Sequence, residues 1–302
     1  MHNSPVCIAQ VKNTLGECPL WDEREQVLYW TDITERQVYR LVPDTGTLTR
    51  WPVRAEISAL ALRANAPGFI TGGREGFALV DLQTESFDLL ATPEIALPAN
   101  RMNDGKCDPR GRFWCGSIHE VSDPALRQPI AAVYRLDPGQ GPDPASVVKK
   151  IRSGVKTSNG FAWSPDGKTF YFTDTPTLQI LAFDYDLESG DLANERVFAT
   201  VPSGKGRPDG ATVDVEGCLW SAHFAGACIT RYAPDGTVLQ VIELPVANVT
   251  SCCFGGKDLD TLFITTALED LSDAELRDQP LAGGLFSFKP GVSGMPMNRY
   301  AG

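Results

Sequence analysis

Short apolar runs alternate with turns rich in Gly, Pro and Asp along the chain, a pattern of many short strands rather than a few long helices. The clearest case is Ser158 to Asp174. Phe161-Ala162-Trp163 is a short apolar run, Ser164-Pro165-Asp166-Gly167 has the residues of a tight turn, and Thr169 to Thr173 is β-branched and aromatic. The segment reads as strand, turn, strand, with the polar Asn159 at its head.

The same phrase recurs with a different residue at its head. Glu17 precedes Trp21-Asp22 and Val27 to Thr31. Ser58 precedes Leu62, Ala66-Pro67-Gly68 and Phe69-Ile70-Thr71. Asn103 precedes Cys107-Asp108, Gly111 and Phe113-Trp114-Cys115; Asp209 precedes Val213-Asp214, Glu216-Gly217 and Leu219-Trp220; Thr250 precedes Phe254-Gly255-Gly256 and Leu262 to Thr265. Heads at 17, 58, 103, 159, 209 and 250 lie about 41 to 56 residues apart. That is the spacing of a four-stranded unit repeated radially, so the prediction is all-β: one six-bladed β-propeller domain over 1–302. Two insertions interrupt the pattern, 119–131 and 269–281, the second expected to hold a short helix or lid.

Equivalent residues of radially arranged blades lie equally far from the axis. The six heads are therefore expected to form a ring of Glu17, Ser58, Asn103, Asn159, Asp209 and Thr250 around a common centre. Heads of this kind either cap strand ends and turns or build a site together. Turn chemistry does not call for acids at this register, so the set points to a site. Two carboxylates and two carboxamides are costly to bury unpaired, and no Lys or Arg occupies the ring, so a cation is the expected counter-charge. An all-oxygen set favours a hard divalent ion, Ca²⁺ first, then Mg²⁺ or Mn²⁺, with Zn²⁺ or Fe²⁺ less readily accepted. Glu17, Asn159 and Asp209 are the expected ligands.

Composition narrows the partners. The 302 residues carry a net charge of −11, which disfavours nucleic acid and anionic membranes. The first twelve residues lack a signal-peptide pattern and no apolar run approaches a membrane span, so the chain reads as cytoplasmic, a monomer or small homo-oligomer. The eight cysteines fall at no metal-site spacing and are expected mostly as buried free thiols; the vicinal Cys252-Cys253 lacks a Cys-x-x-Cys partner.

Around the third head, Arg101-Met102-Asn103-Asp104-Gly105-Lys106 concentrates cation, amide and acid. It is either a surface ion-pair loop or a binding strand, in which Arg101 offers its planar fork to a hydroxyl or carboxylate. Of the histidines, His2 is terminal, while His119 and His223 follow hairpin strands and are structural unless they face the shaft. Glu120 opens an insertion and is placed to reach over the mouth.

Gly16-Glu17-Cys18-Pro19-Leu20-Trp21, Arg101 to Lys106, Ser158-Asn159-Gly160 before Trp163 to Gly167, and Pro208-Asp209-Gly210 together resemble the SMP-30/gluconolactonase/regucalcin family of six-bladed propellers, from about residue 12 to 290. Cys18 stands where that family often has glycine. The resemblance implies a divalent metal on Glu17, Asn159 and Asp209, a sugar-lactone pocket using Arg101, Asn103 and Glu120, and metal-dependent opening of an aldonolactone to its sugar acid with Asp209 as base. A metal ligand is a weakened base, so Asp104, beside Asn103, is held as the reserve. Two contrasting readings are a non-catalytic propeller that binds Ca²⁺ or a protein through its rim, and a phosphotriesterase-type hydrolase. The second would suit a more apolar pocket than Arg101 and Glu120 provide.

Overall fold

The computed structural model describes residues 4–139 and 148–302, so His2 lies outside the described residues. Six antiparallel four-stranded sheets surround one axis. Their innermost strands are Gly16–Asp22, Ile57–Leu62, Asn100–Cys107, Ser158–Trp163, Arg207–Val213 and Val249–Gly255. Each touches the innermost strands on both sides, which closes the ring. In five blades the sheet runs outward in chain order. The sixth takes its outer strand, Val6–Ala9, from the other end of the chain, paired antiparallel with Leu285–Phe288.

The repeated phrase folds as a hairpin for local reasons. In the third and fifth blades the turn acid does the same work: Asp108 Oδ1 accepts from the backbone N–H groups of Arg110 and Arg112, and Asp214 Oδ1 from those of Glu216 and Cys218. Their Oδ2 atoms accept from Trp114 Nε1 and Trp220 Nε1, both at 2.9 Å. The acid thereby fixes the turn and a buried indole together.

The apolar faces of the sheets meet between blades, and aromatic contacts bridge all six junctions. They are Tyr29–Phe69, Phe77–Phe113, Trp114–Trp163, Phe198–Tyr232, Trp220–Phe254 and, across the closure, Trp21–Phe263 at 5.6 Å between ring centroids. Each contributes about 0.5–1.5 kcal/mol beyond its buried area. All eight cysteines are free thiols, and all but Cys7 are buried.

The two ends of the axial channel differ. At the ends of the innermost strands, Met295 to Asn298 lie against Leu20, Leu60, Cys107 and Val213. Tyr300 N bonds Leu62 O, Ala301 N bonds Gly111 O, and Arg299 pairs with Asp22. The C-terminal segment thus covers this end. The opposite end, where the strands begin, carries the heads and both insertions. Among the described residues the only α-helix is Asp273–Asp278, inside the second insertion, started by a Ser272–Glu275 capping box. Among the described residues no helix is long and apolar enough to cross a membrane.

Candidate metal and substrate site

The innermost strands are irregular at their heads. In the blades of Glu17, Asn103, Asn159 and Asp209 the pairing register skips two residues, whereas in those of Ser58 and Thr250 it skips one. Such bulges re-aim side chains out of the ladder. The backbone conformation follows suit: Gly160 has φ +67°, and Cys18 adopts φ +50° where glycine would sit without strain. Cys18 is held there by its Sγ against Leu60 N, at 3.2 Å.

The ring accordingly divides. Glu17, Asn103, Asn159 and Asp209 line a cavity of about 770 Å³ at the open end of the channel. Ser58 and Thr250 do not. Ser58 Oγ donates to Met102 O (2.7 Å) and Thr250 Oγ1 to Gly16 O (2.6 Å), so these hydroxyls tie neighbouring blades together.

Asn159 is oriented by a chain of hydrogen bonds. Thr175 Oγ1 donates to Pro208 O at 2.9 Å and must therefore accept from Asn159 Nδ2, at 2.8 Å. The Asn159 carbonyl oxygen is left to face the cavity, where it accepts from Asn103 Nδ2 at 2.9 Å. Asn103 Oδ1 in turn accepts from Arg101 Nη1 at 2.7 Å, and Arg101 Nε donates to Glu120 Oε1 at 2.7 Å. Glu120 also pairs with Arg74, which reaches Glu56. One network thus runs from the second blade to the fifth, and Arg101 is held with Nη2 free of any partner among the described residues.

The carboxylates are poorly matched. Glu17 Oε2 accepts from the backbone N–H of Cys18 at 2.8 Å, and Asp209 accepts no hydrogen bond among the described residues. Burial pushes the carboxyl pKa of Glu17 up, with Asp104 adding to it, and burial together with Glu17 raises that of Asp209 well above the usual range. A counter-charge does exist one layer below: Lys106 bonds Ala211 O in the channel and favours the ionised forms of Asp104 and Glu17. It pairs with neither Glu17 nor Asp209.

Asp104 is not among the cavity-lining residues. Its Oδ2 accepts from Gly160 N (2.8 Å) and more weakly from Phe161 N (3.4 Å), and its Oδ1 from Gly105 N (2.7 Å). It clasps the bulge that carries Asn159. His119 Nδ1 accepts from Gln128 N at 2.9 Å, anchoring the first insertion, while His223 Nδ1 meets Lys205 O at 3.0 Å. Neither histidine lines the cavity. The cavity residues that escaped the sequence reading include Thr175, Arg127 and Arg207. Arg207 had a usable signal, lying two residues before a head; Arg127 sits in a loop of no fixed register.

A metal-sized cluster of Asp214, Glu216 and Cys218 also occurs. Both Asp214 oxygens already take up two backbone N–H groups, an indole and Arg231, which leaves no ligand role open.

A family model described as the SMP-30/gluconolactonase/LRE-like region matches residues 15–268. The chain belongs to this family. It is 37% identical to the 6-deoxy-6-sulfogluconolactonase of Pseudomonas putida, aligned over the full length of both chains. It is 38% identical to the regucalcin of Gallus gallus, over 98% of each. The solved structure of a calcium-binding protein, regucalcin, from Agrobacterium tumefaciens superposes with a TM-score of 0.89 at 28% identity, covering 98% of this chain and 97% of that one.

Proposed function

We propose that this member of the family is a metal-dependent sugar lactonase, hydrolysing an aldonolactone to its sugar acid. One observation carries the reading. Two buried carboxylates that form no ion pair, Glu17 and Asp209, share with Asn159, whose amide oxygen is aimed by Thr175, the wall of a cavity that also holds Arg101. The lactonase and regucalcin relatives support the activity, and the calcium-binding relative supports Ca²⁺ as the ion.

The donor set fits a hard cation: every candidate ligand is oxygen, and both acids bear the cost of burial that a bound cation would offset. Glu17, Asn159 and Asp209 would hold it. When bound, such an ion polarises the lactone carbonyl and lowers the pKa of water. The protein's own groups do the rest. Asp209, free of hydrogen bonds, takes the proton of the attacking water and delivers it to the ring oxygen as the C–O bond breaks, so that the product is a hydroxy acid. Arg101 Nη2, Asn103 and Glu120 engage ring hydroxyls, and their mutual bonds fix them before substrate arrives. Asp104 serves as a positioning residue, holding the Gly160 bulge on which Asn159 stands.

The test is acid release from pentono- and hexonolactones, before and after chelation and with Ca²⁺, Mg²⁺, Mn²⁺, Zn²⁺ or Fe²⁺ restored. Metal-dependent acceleration on at least one lactone is the expected result. Spontaneous rates throughout would overturn the proposal.

A further inference from the structure

The cavity mouth contains two cations that ring opening does not use. Arg127 lies in the first insertion, half-buried, between the 3₁₀ turn Pro124–Leu126 and Gln128, whose N–H is anchored on His119. Its Nη1 reaches Thr157 Oγ1 only at 3.4 Å, and its Nε is buried without an acceptor. Arg207 begins the innermost strand of the fifth blade and lies 5.0 Å above the Phe224 ring, which holds its planar fork in place.

Neither guanidinium forms an ion pair among the described residues. The carboxylates sharing the cavity do not supply one. Glu120 is taken by Arg101 and Arg74, Glu17 and Asp209 belong to the proposed metal site, and Glu269 and Asp270 at the rim lie beyond ion-pair distance. Burial, with Arg101 and Arg207, lowers the pKa of Arg127, and the smaller opposing pull of Glu269 and Glu120 does not reverse it. A half-buried donor with no acceptor is an unmet demand for an anion. The net charge of −11 repels anions from the molecule as a whole, so holding one here requires such local guanidinia.

We propose that Arg127 and Arg207 form an oxyanion subsite, and that the preferred substrate is a lactone bearing a sulfonate, phosphate or carboxylate substituent remote from its carbonyl. This rests on the lactonase reading for its catalytic part, and its binding part stands without it.

The test compares the metal-loaded protein on gluconolactone and on its 6-sulfo and 6-phospho counterparts. The ratio of kcat/KM, charged over neutral, is expected to exceed tenfold, to shrink as salt rises, and to fall close to one in Arg127→Gln and Arg207→Gln through KM. Arg127→Lys is expected to restore part of it, which a merely structural side chain would not do. In parallel, calorimetry measures gluconate 6-phosphate against gluconate, with the phosphate expected to bind at least tenfold tighter and the advantage to disappear in the Gln variants. Turnover of neutral lactones with a ratio near one overturns the subsite and leaves the lactonase standing. Absence of all turnover with retained, arginine-dependent phosphate binding overturns the lactonase and leaves the subsite. Folded Gln variants that keep the full ratio and the binding advantage also overturn it.

Discussion

Replacing Thr175 by valine tests the orientation of Asn159 without altering any of the proposed metal ligands. The hydroxyl accepts from Asn159 Nδ2 at 2.8 Å and donates to Pro208 O at 2.9 Å, and valine keeps the shape while removing both bonds. At about 1–3 kcal/mol for each buried polar group left without a partner, and with cavity water able to reach the amide, the loss is roughly 2–4 kcal/mol. Taking about 2.1 cal/mol/K of unfolding entropy per residue, a chain of 302 residues loses about 1.6 °C per kcal/mol, so the melting temperature falls by roughly 3–6 °C. The amide also becomes free to flip, presenting N–H rather than oxygen to the cation, and metal affinity is expected to drop about 10–100-fold, the usual effect of removing a group that orients a ligand. Differential scanning calorimetry of the metal-free protein reads the first effect and titration with Ca²⁺ the second. Thr175→Ser, which keeps the hydroxyl, should restore both. A valine variant with wild-type melting and wild-type affinity would refute the proposed orientation of Asn159.

Three further outcomes follow from the same geometry. In metal-free protein the raised carboxyl pKa of Glu17 makes stability fall as pH rises from its ordinary 4.5 to about 8, because there the unfolded chain holds fewer protons than the folded one. Glu17→Gln and Asp209→Asn should therefore melt higher than wild type at pH 8 in the presence of chelator, while losing at least about 100-fold in metal affinity; a lower melting point would contradict the assignment of strain to these acids. Glu120→Gln removes the carboxylate that orients Arg101, and with Glu120 a third exposed the cost is about 1–2 kcal/mol, read as a roughly 5–30-fold loss in kcat/KM carried by KM. Tyr300→Ala, at the covered end of the channel, should cost about 3–5 kcal/mol of stability and leave Ca²⁺ affinity within twofold of wild type, since Tyr300 is 4% exposed and the site lies at the opposite end.

What the chain discloses by itself is the part of the design that residue types enforce. The Asp108-Pro109-Arg110-Gly111 and Ser164-Pro165-Asp166-Gly167 turns need those residues, and a strand–turn–strand phrase that recurs six times fixes both blade number and the register of the heads. The short closing strand Val6–Ala9 has no such signature, because its partner lies at the far end of the chain. Nor does composition separate the four heads that face the cavity from Ser58 and Thr250: a two-residue bulge and a one-residue bulge differ in backbone path, and both begin with a polar side chain. Asp104 shows the same limit at single-residue scale. Adjacency to Asn103 suggests a shared role, yet Asn103 and Asp104 are the two residues that the register skips, and the bulge sends one side chain into the cavity and the other against the neighbouring backbone. There its two oxygens accept from Gly105, Gly160 and Phe161, and the acid shapes the site by holding backbone. Arg127 lies beyond such reasoning altogether, since its position depends on where His119 pins the insertion rather than on any period. The heads that face the cavity are thus written in the repeat, whereas Arg127 is placed by a loop the repeat does not control.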